Sequence, residues 1–205
     1  MMPELEKIYD HRFFEEWGVR NRPYVETARY LTALLYRQFQ PKRLIDLGCG
    51  AGVYAAAFRT HGVEVVAVDG VVAPPECSIA GPVEIRDLTV PFKNPWGPFD
   101  LALCLEVAEH IPESLAPAFL ETITGFSDTL ILSCAPPFQR GHHHVNEQPK
   151  RYWIERLAPL GFAYDRKTTG LISETFKADR PPLMWMCQQV SVYRRDPATE
   201  DRRSD

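Results

Sequence analysis

The sequence predicts an α/β protein: a three-layer, doubly wound and mostly parallel sheet of seven strands with helices on both faces. Two observations carry that expectation. Short apolar, β-branched runs alternate with segments of helical spacing along the 205 residues, and four of those runs end in an acid. Composition is the third. With 45% hydrophobic and 24% charged residues the chain has the balance of an ordinary globular protein, and its length suits one domain with its own core.

Residues 1–40 are expected to form a helical segment or lid. Over 24–39 the apolar residues Val25, Ala28, Leu31, Leu34, Leu35 and Phe39 recur at steps of three and four, one stripe on a helix that Pro41 ends. Residues 43–47 are a strand closed by glycines, and 53–59, with Ala55, Ala56 and Ala57, a helix. The run 63–68 ends in Asp69-Gly70, 83–86 in Asp87 and 99–105 in Glu106, while 129–133 stops before Pro136-Pro137. Residues 162–164 and 190–193 complete the seven strands. Helical spacing covers 113–126 and 149–160. Pro74, Pro75 and Pro82 argue against a full helix between Gly70 and Pro82, so that side of the sheet is expected to be thinly covered. Residues 168–186, with Arg180-Pro181-Pro182 and Trp185, read as a loop before the last strand that helps choose the substrate. The sheet domain is placed at 41–195. From Arg194 onward charges alternate with almost nothing apolar, and 196–205 are expected to be a flexible tail.

Charge narrows the partners. Lys and Arg total 23 against 27 Asp and Glu, a net of −4, which argues against a grip on nucleic acid or an anionic membrane. The start of the chain is charged throughout and no apolar stretch approaches the roughly 18 residues of a membrane span, so a cytoplasmic protein is expected. Five cysteines without a C-x-x-C pair fit free, mostly buried thiols.

In open parallel sheets ligands sit beyond the carboxyl ends of the strands, where this chain puts Asp46, Asp69, Asp87 and Glu106. Any one of them suits a cap or a turn; four in succession point to a site. The turn Asp46-Leu47-Gly48-Cys49-Gly50-Ala51-Gly52 lets backbone approach a ligand closely. Val53 stands where a dinucleotide fingerprint needs its third glycine, and no Gly-Lys-Ser/Thr follows, which excludes the G-x-G-x-x-G and P-loop readings.

These residues resemble class I S-adenosylmethionine-dependent methyltransferases, whose fold is Rossmann-like. Asp46 to Gly52 is similar to their glycine motif, Val65 to Asp69 to the acidic second strand, Arg86-Asp87-Leu88 to the adenine-contacting third, and Phe99 to Pro112 to the fourth with its Glu-Val-x-Glu-His extension. The resemblance spans residues 41–162 in order. It implies S-adenosylmethionine as cofactor, with Gly48 and Gly50 passing the methionine moiety, Asp69 at the ribose hydroxyls, Asp87 and the Leu88 amide at the adenine, Glu106 beside the methionine end, and Asp46, Gly52 and Gly70 also among the cofactor-binding residues. The segment Gly141-His142-His143-His144-Val145-Asn146-Glu147-Gln148-Pro149, with Tyr152-Trp153 and Gly161-Phe162, resembles small bacterial members in which this loop faces the acceptor. With Tyr9, Phe13, Phe14 and Trp17 it is expected to roof the site, unless those aromatics are simply helix core.

Methyl transfer from a sulfonium needs alignment and, for a hydroxyl acceptor, removal of a proton. His110 and His144 are the candidate bases. A divalent metal on Glu106, Glu109, His110 and His144 is the less favoured reading, since Glu109-His110 also suits a helix start. The expected function is methylation of a small-molecule acceptor at oxygen; the alternative is a cofactor-binding subunit or sensor without catalysis. If the ribose assignment holds, Asp69→Ala leaves the fold nearly intact and weakens cofactor binding by about 1–3 kcal/mol in calorimetry, through lost charged hydrogen bonds. Unaltered affinity contradicts the assignment.

Overall fold

The computed structural model describes residues 5–197. Its strands are β1 (Arg43–Leu47), β2 (Glu64–Asp69), β3 (Val83–Ile85), β4 (Leu101–Cys104), β5 (Thr129–Leu132), β6 (Phe162–Tyr164) and β7 (Ser191–Arg195). They form one sheet in the order β3-β2-β1-β4-β5-β7-β6. The first five pair in parallel, and β7 lies antiparallel between β5 and β6. Register sets Asp46 beside Ala67 on one side and Leu103 on the other, and Asp69 beside Ile85. Strand order reverses at β1 and β4, where a crevice opens at the carboxyl edge.

The helices are α1 (Leu5–Ile8), α2 (His11–Glu16), α3 (Arg22–Phe39), α4 (Val53–Arg59), α5 (Ala116–Ile123), α6 (Lys150–Leu157), α7 (Arg166–Asp179) and α8 (Met184–Gln188). Alternation along the strands builds two cores, because successive side chains leave a strand on opposite faces. Leu44, Leu103 and Ile131 pack with Leu35, Phe58 and Phe176 of α3, α4 and α7. Their neighbours Ile45, Cys104 and Leu132 pack with Phe119 and Trp153 of α5 and α6. Asn21 caps α3 by accepting from the Tyr24 amide at 3.1 Å, and Gln40 ends it with a left-handed φ of 45° before Pro41. β3 is half-buried along its length and no helix covers 70–82, the thinly covered side expected from its prolines.

The structure departs from expectation in three places. Residues 168–186 are not a loop: Asp165 accepts from the Thr168 amide at 2.9 Å and starts α7, which buries Thr169, Ile172 and Phe176, and α8 follows. Thr168, Thr169 and Gly170 are weak helix formers, so tertiary burial rather than propensity holds this helix. Arg194 and Arg195 belong to β7, not to a frayed end, because their guanidinium groups pair with Asp165 at 2.9 Å and Asp128 at 2.6 Å while lying over Phe39 and Phe162. Helices expected over 113–126 and 149–160 are shorter, with 3-10 turns at Glu113–Leu115 and Ala158–Leu160 beside Pro117 and Pro159. Of the tail, residues 198–205 lie outside the described residues.

Cys49, Cys77, Cys104 and Cys134 are free, the first three buried. Among the described residues no helix is long and apolar enough to cross a membrane.

At the start of α4, Gly52 has φ +74°, and a Cβ there would stand 2.1 Å from Ala80 Cα. Gly52→Ala therefore combines left-handed strain with a backbone clash and is expected to destabilise the protein by about 2–4 kcal/mol, read as a lowered midpoint in denaturant.

Candidate active site

The site begins where β1 turns into α4. The Gly48 and Cys49 amides donate to the Val68 carbonyl at 2.8 and 3.0 Å. The Gly50 amide donates to Asp69 Oδ2 at 2.7 Å, and the Val71 amide to Oδ1 at 2.9 Å. Asp69 thus clamps the glycine turn to the tip of β2, a structural duty the sequence reading did not assign, so Asp69→Ala also loosens this turn. Gly50 has φ +52°, and a Cβ there would meet no protein atom within 4 Å, so its face opens onto the cavity. Gly52 does not line that cavity; its missing side chain makes room for Ala80 instead.

One cavity of about 1060 Å³ gathers Asp46, Asp69, Asp87 and Glu106, with Gly48, Gly50, Gly70 and Leu88 on the same wall. Burial and the charge of Asp69 push the Asp46 carboxyl up to about 7, and its Oδ2 is buried without a hydrogen-bond partner. Burial also raises Asp69, against the amides that favour its charged form. Asp87 accepts from the Thr89 amide at 2.8 Å and from its hydroxyl at 2.6 Å. Glu106 stands at φ +56°; Ser133 Oγ donates to its Oε1 at 2.6 Å and accepts from its amide at 2.9 Å. Burial brings Glu106 to about 7.

Glu109, His110 and His144 offer one ligand atom each within 4.8 Å of one another. Glu109 is fully buried with neither carboxylate oxygen in a hydrogen bond, and burial followed by the charge of Glu106 holds its carboxyl well above the usual range. Burial and the nearby His144 bring His110 down to about 4, so its imidazole is neutral at pH 7. Its Nδ1 faces the His143 carbonyl at 3.3 Å. His144 Nδ1 faces Glu147 Oε1 at 2.9 Å, and the Phe138 amide donates to the other oxygen of Glu147 at 2.9 Å. With the proton on Nδ1, each ring keeps a lone pair on Nε2. Glu106 is not one of these three: its Oε1 accepts from Ser133, while its carboxyl lies against that of Glu109.

The start of the chain covers these groups. His142 Nε2 donates to the Ile8 carbonyl at 2.6 Å, and Tyr9 meets His110 and His142 with ring centroids 5.7 and 6.0 Å apart. Tyr9, Phe13, Phe14 and Trp17 all line the cavity. Of the non-glycine residues with left-handed φ among the described residues, Gln40 and Arg180 cap helices, whereas Glu106, Phe138, Arg140 and His143 lie in the two loops at the cavity. Strain of about 1–3 kcal/mol at each such residue persists only where surrounding contacts hold it.

Sequence reasoning missed Ser133 as the clasp on Glu106, and the part of Glu147 in holding His144. Glu147 carried one signal, its place three residues after a histidine in a polar loop. Ser133 carried none, because the loops that bring it to Glu106 lie 27 residues apart.

A family model described as a methyltransferase domain matches residues 18–129, more than half of the chain. The chain belongs to this family, and its class is that of the class I S-adenosylmethionine-dependent methyltransferases. It is 26% identical over 141 residues to the ubiquinone biosynthesis O-methyltransferase of Acinetobacter baylyi, covering 58% of this chain and 54% of that protein. The chain thus spans about half the length of the curated relatives it matches. Among solved structures, the 1,6-didemethyltoxoflavin-N1-methyltransferase of Burkholderia thailandensis, with bound 1,6-didemethyltoxoflavin and S-adenosylhomocysteine, superposes with a TM-score of 0.61 at 17% identity over 95% of this chain and 90% of that one. The magnesium protoporphyrin IX methyltransferase of Synechocystis, with bound S-adenosylhomocysteine, gives 0.59 at 19% identity over 80% and 90%.

The Glu147 contact sets a tautomer. Nitrogen-15 NMR is expected to find His144 protonated at Nδ1, and Glu147→Ala to shift population towards the Nε2–H form; an unmoved tautomer would show that the carboxylate does not hold the ring.

Proposed function

We propose that the chain binds S-adenosylmethionine along the acidic strand tips and transfers its methyl group to the oxygen of a small-molecule acceptor held beneath the N-terminal helices. The observation that carries this reading is the meeting of Asp46, Asp69, Asp87 and Glu106 with the glycine turn in one cavity whose far wall is aromatic. The residues fit the cofactor. The unpartnered oxygen of Asp46 and the carboxyl of Glu106 suit a ligand with ammonium and sulfonium charge, and Gly50 leaves room beside them. Asp69 keeps lone pairs for ribose hydroxyls after serving two amides, and Asp87 for an adenine amino group.

The bound cofactor supplies an activated methyl group and a neutral thioether leaving group. The protein then has to align the acceptor oxygen with that methyl, exclude water and take the acceptor proton. Nε2 of His144 or of His110 is the group to receive it. His144 is the better placed, since Glu147 stabilises the imidazolium that results.

A second reading rests on the unpartnered Glu109. An orphaned buried carboxylate next to two imidazoles suits a divalent ion, and such an ion would sit on Glu109, His110 and His144 and polarise the acceptor oxygen.

Calorimetry with S-adenosylmethionine and S-adenosylhomocysteine, followed by methyl release over an acceptor panel before and after chelation of untagged protein, tests these readings. Cofactor binding and turnover are expected. Binding without turnover on any acceptor favours the non-catalytic subunit, and turnover unchanged by chelator removes the metal.

A further inference from the structure

We infer that the acceptor is a planar aromatic alcohol without an anionic group, an inference that rests on the methyltransferase reading of the same cavity. Three features of the wall select that chemistry. The first is a run of rings in contact: His144 to His110 at 5.1 Å, His110 to Tyr9 at 5.7 Å, Tyr9 to Phe13 at 5.0 Å and Phe13 to His142 at 5.0 Å between centroids. Trp17 and Trp185, 6.0 Å apart, continue the aromatic wall. Aromatic partners contribute to binding beyond the area they bury, which favours a flat ring over a saturated body.

The second feature is where the polar atoms have gone. His142 Nε2 serves the Ile8 carbonyl, His144 Nδ1 serves Glu147 and His110 Nδ1 serves the His143 carbonyl. The imidazoles therefore turn acceptor lone pairs, not donors, to a ligand. A single O–H donor is satisfied by such a wall.

The third feature is charge. Five carboxyl groups, Asp46, Asp69, Asp87, Glu106 and Glu109, line the cavity, against two guanidinium groups. Arg86 is paired with Glu84 at 3.4 Å, and Arg140 is exposed at the rim. A carboxylate or phosphate on the acceptor would enter beside five carboxyl groups, of which Glu106 and Glu109 already resist ionisation, without a buried cation to meet it.

The probes are 2-naphthol, 2-naphthoate and methyl glucoside, titrated by calorimetry into protein saturated with S-adenosylhomocysteine. The alcohol is expected to bind about tenfold or more tighter than either other compound, and Phe13→Leu, which keeps apolar volume but removes the ring, to weaken it about 3–10-fold. Trp185→Leu is the second variant, and the affinity of each variant for S-adenosylhomocysteine reports whether it folds. Naphthoate or glucoside binding as tightly as naphthol overturns the inference, as does naphthol binding that neither variant weakens. If wild-type protein does not bind S-adenosylhomocysteine at all, the methyltransferase reading itself fails. If it binds that ligand yet shows no preference for naphthol, only the acceptor class is wrong.

Discussion

Parallel pairing obliges β1 to β5 to deliver their carboxyl ends to the same edge, and the site is a consequence of that constraint. With β1 between β2 and β4 in fixed register, Asp46 and Asp69 stand on adjoining strands and the segment after Cys104 brings Glu106 alongside them. The glycine turn is then pulled onto the tip of β2 by Val68 and Asp69. Slide one strand by a residue and its apolar set would change face, so the two cores that flank the sheet also protect the geometry of its rim.

Burial sets the electrostatics of that rim. It makes the carboxyl groups of Asp46 and Glu106 resist ionisation and lifts both to about 7, with the charge of Asp69 adding to the shift at Asp46. A cationic ligand relieves the conflict by supplying the missing charge. The neighbouring His110 meets the opposite pressure: burial keeps its imidazole neutral, the state in which its nitrogen accepts a proton or a metal.

The sheet was legible in the sequence because its central strands β1, β4 and β5 are buried on both faces and read as continuous apolar runs closed by an acid or by glycine and proline. The acids at the rim were legible for the same reason: a charged residue ending an apolar run has few places to go. What escaped were features that exist only through tertiary contact. Residues 166–179 carry threonines and a glycine that weaken any helical signal, and only packing of Ile172 and Phe176 against the sheet declares the helix. Arg194 and Arg195 looked like solvent-facing charges until Asp165 and Asp128 were found opposite them. Gly52 matched a ligand-contacting pattern, although its space is taken by Ala80, a residue in a segment without periodicity.

The cover over the cavity joins the two most distant parts of the story told by the chain. Ile8 and His142, which meet through a single hydrogen bond, are 134 residues apart, and all five parallel strands lie between them. A contact of that span carries a large loop-closure entropy, which the intervening structure offsets by holding the two ends together. The floor that suits the cofactor is built by neighbours in the sheet, but the ceiling that would choose an acceptor is put together from segments far apart in the sequence. Changes of chemistry in the ceiling therefore leave the folding of the floor largely untouched, which gives one scaffold freedom to serve many acceptors.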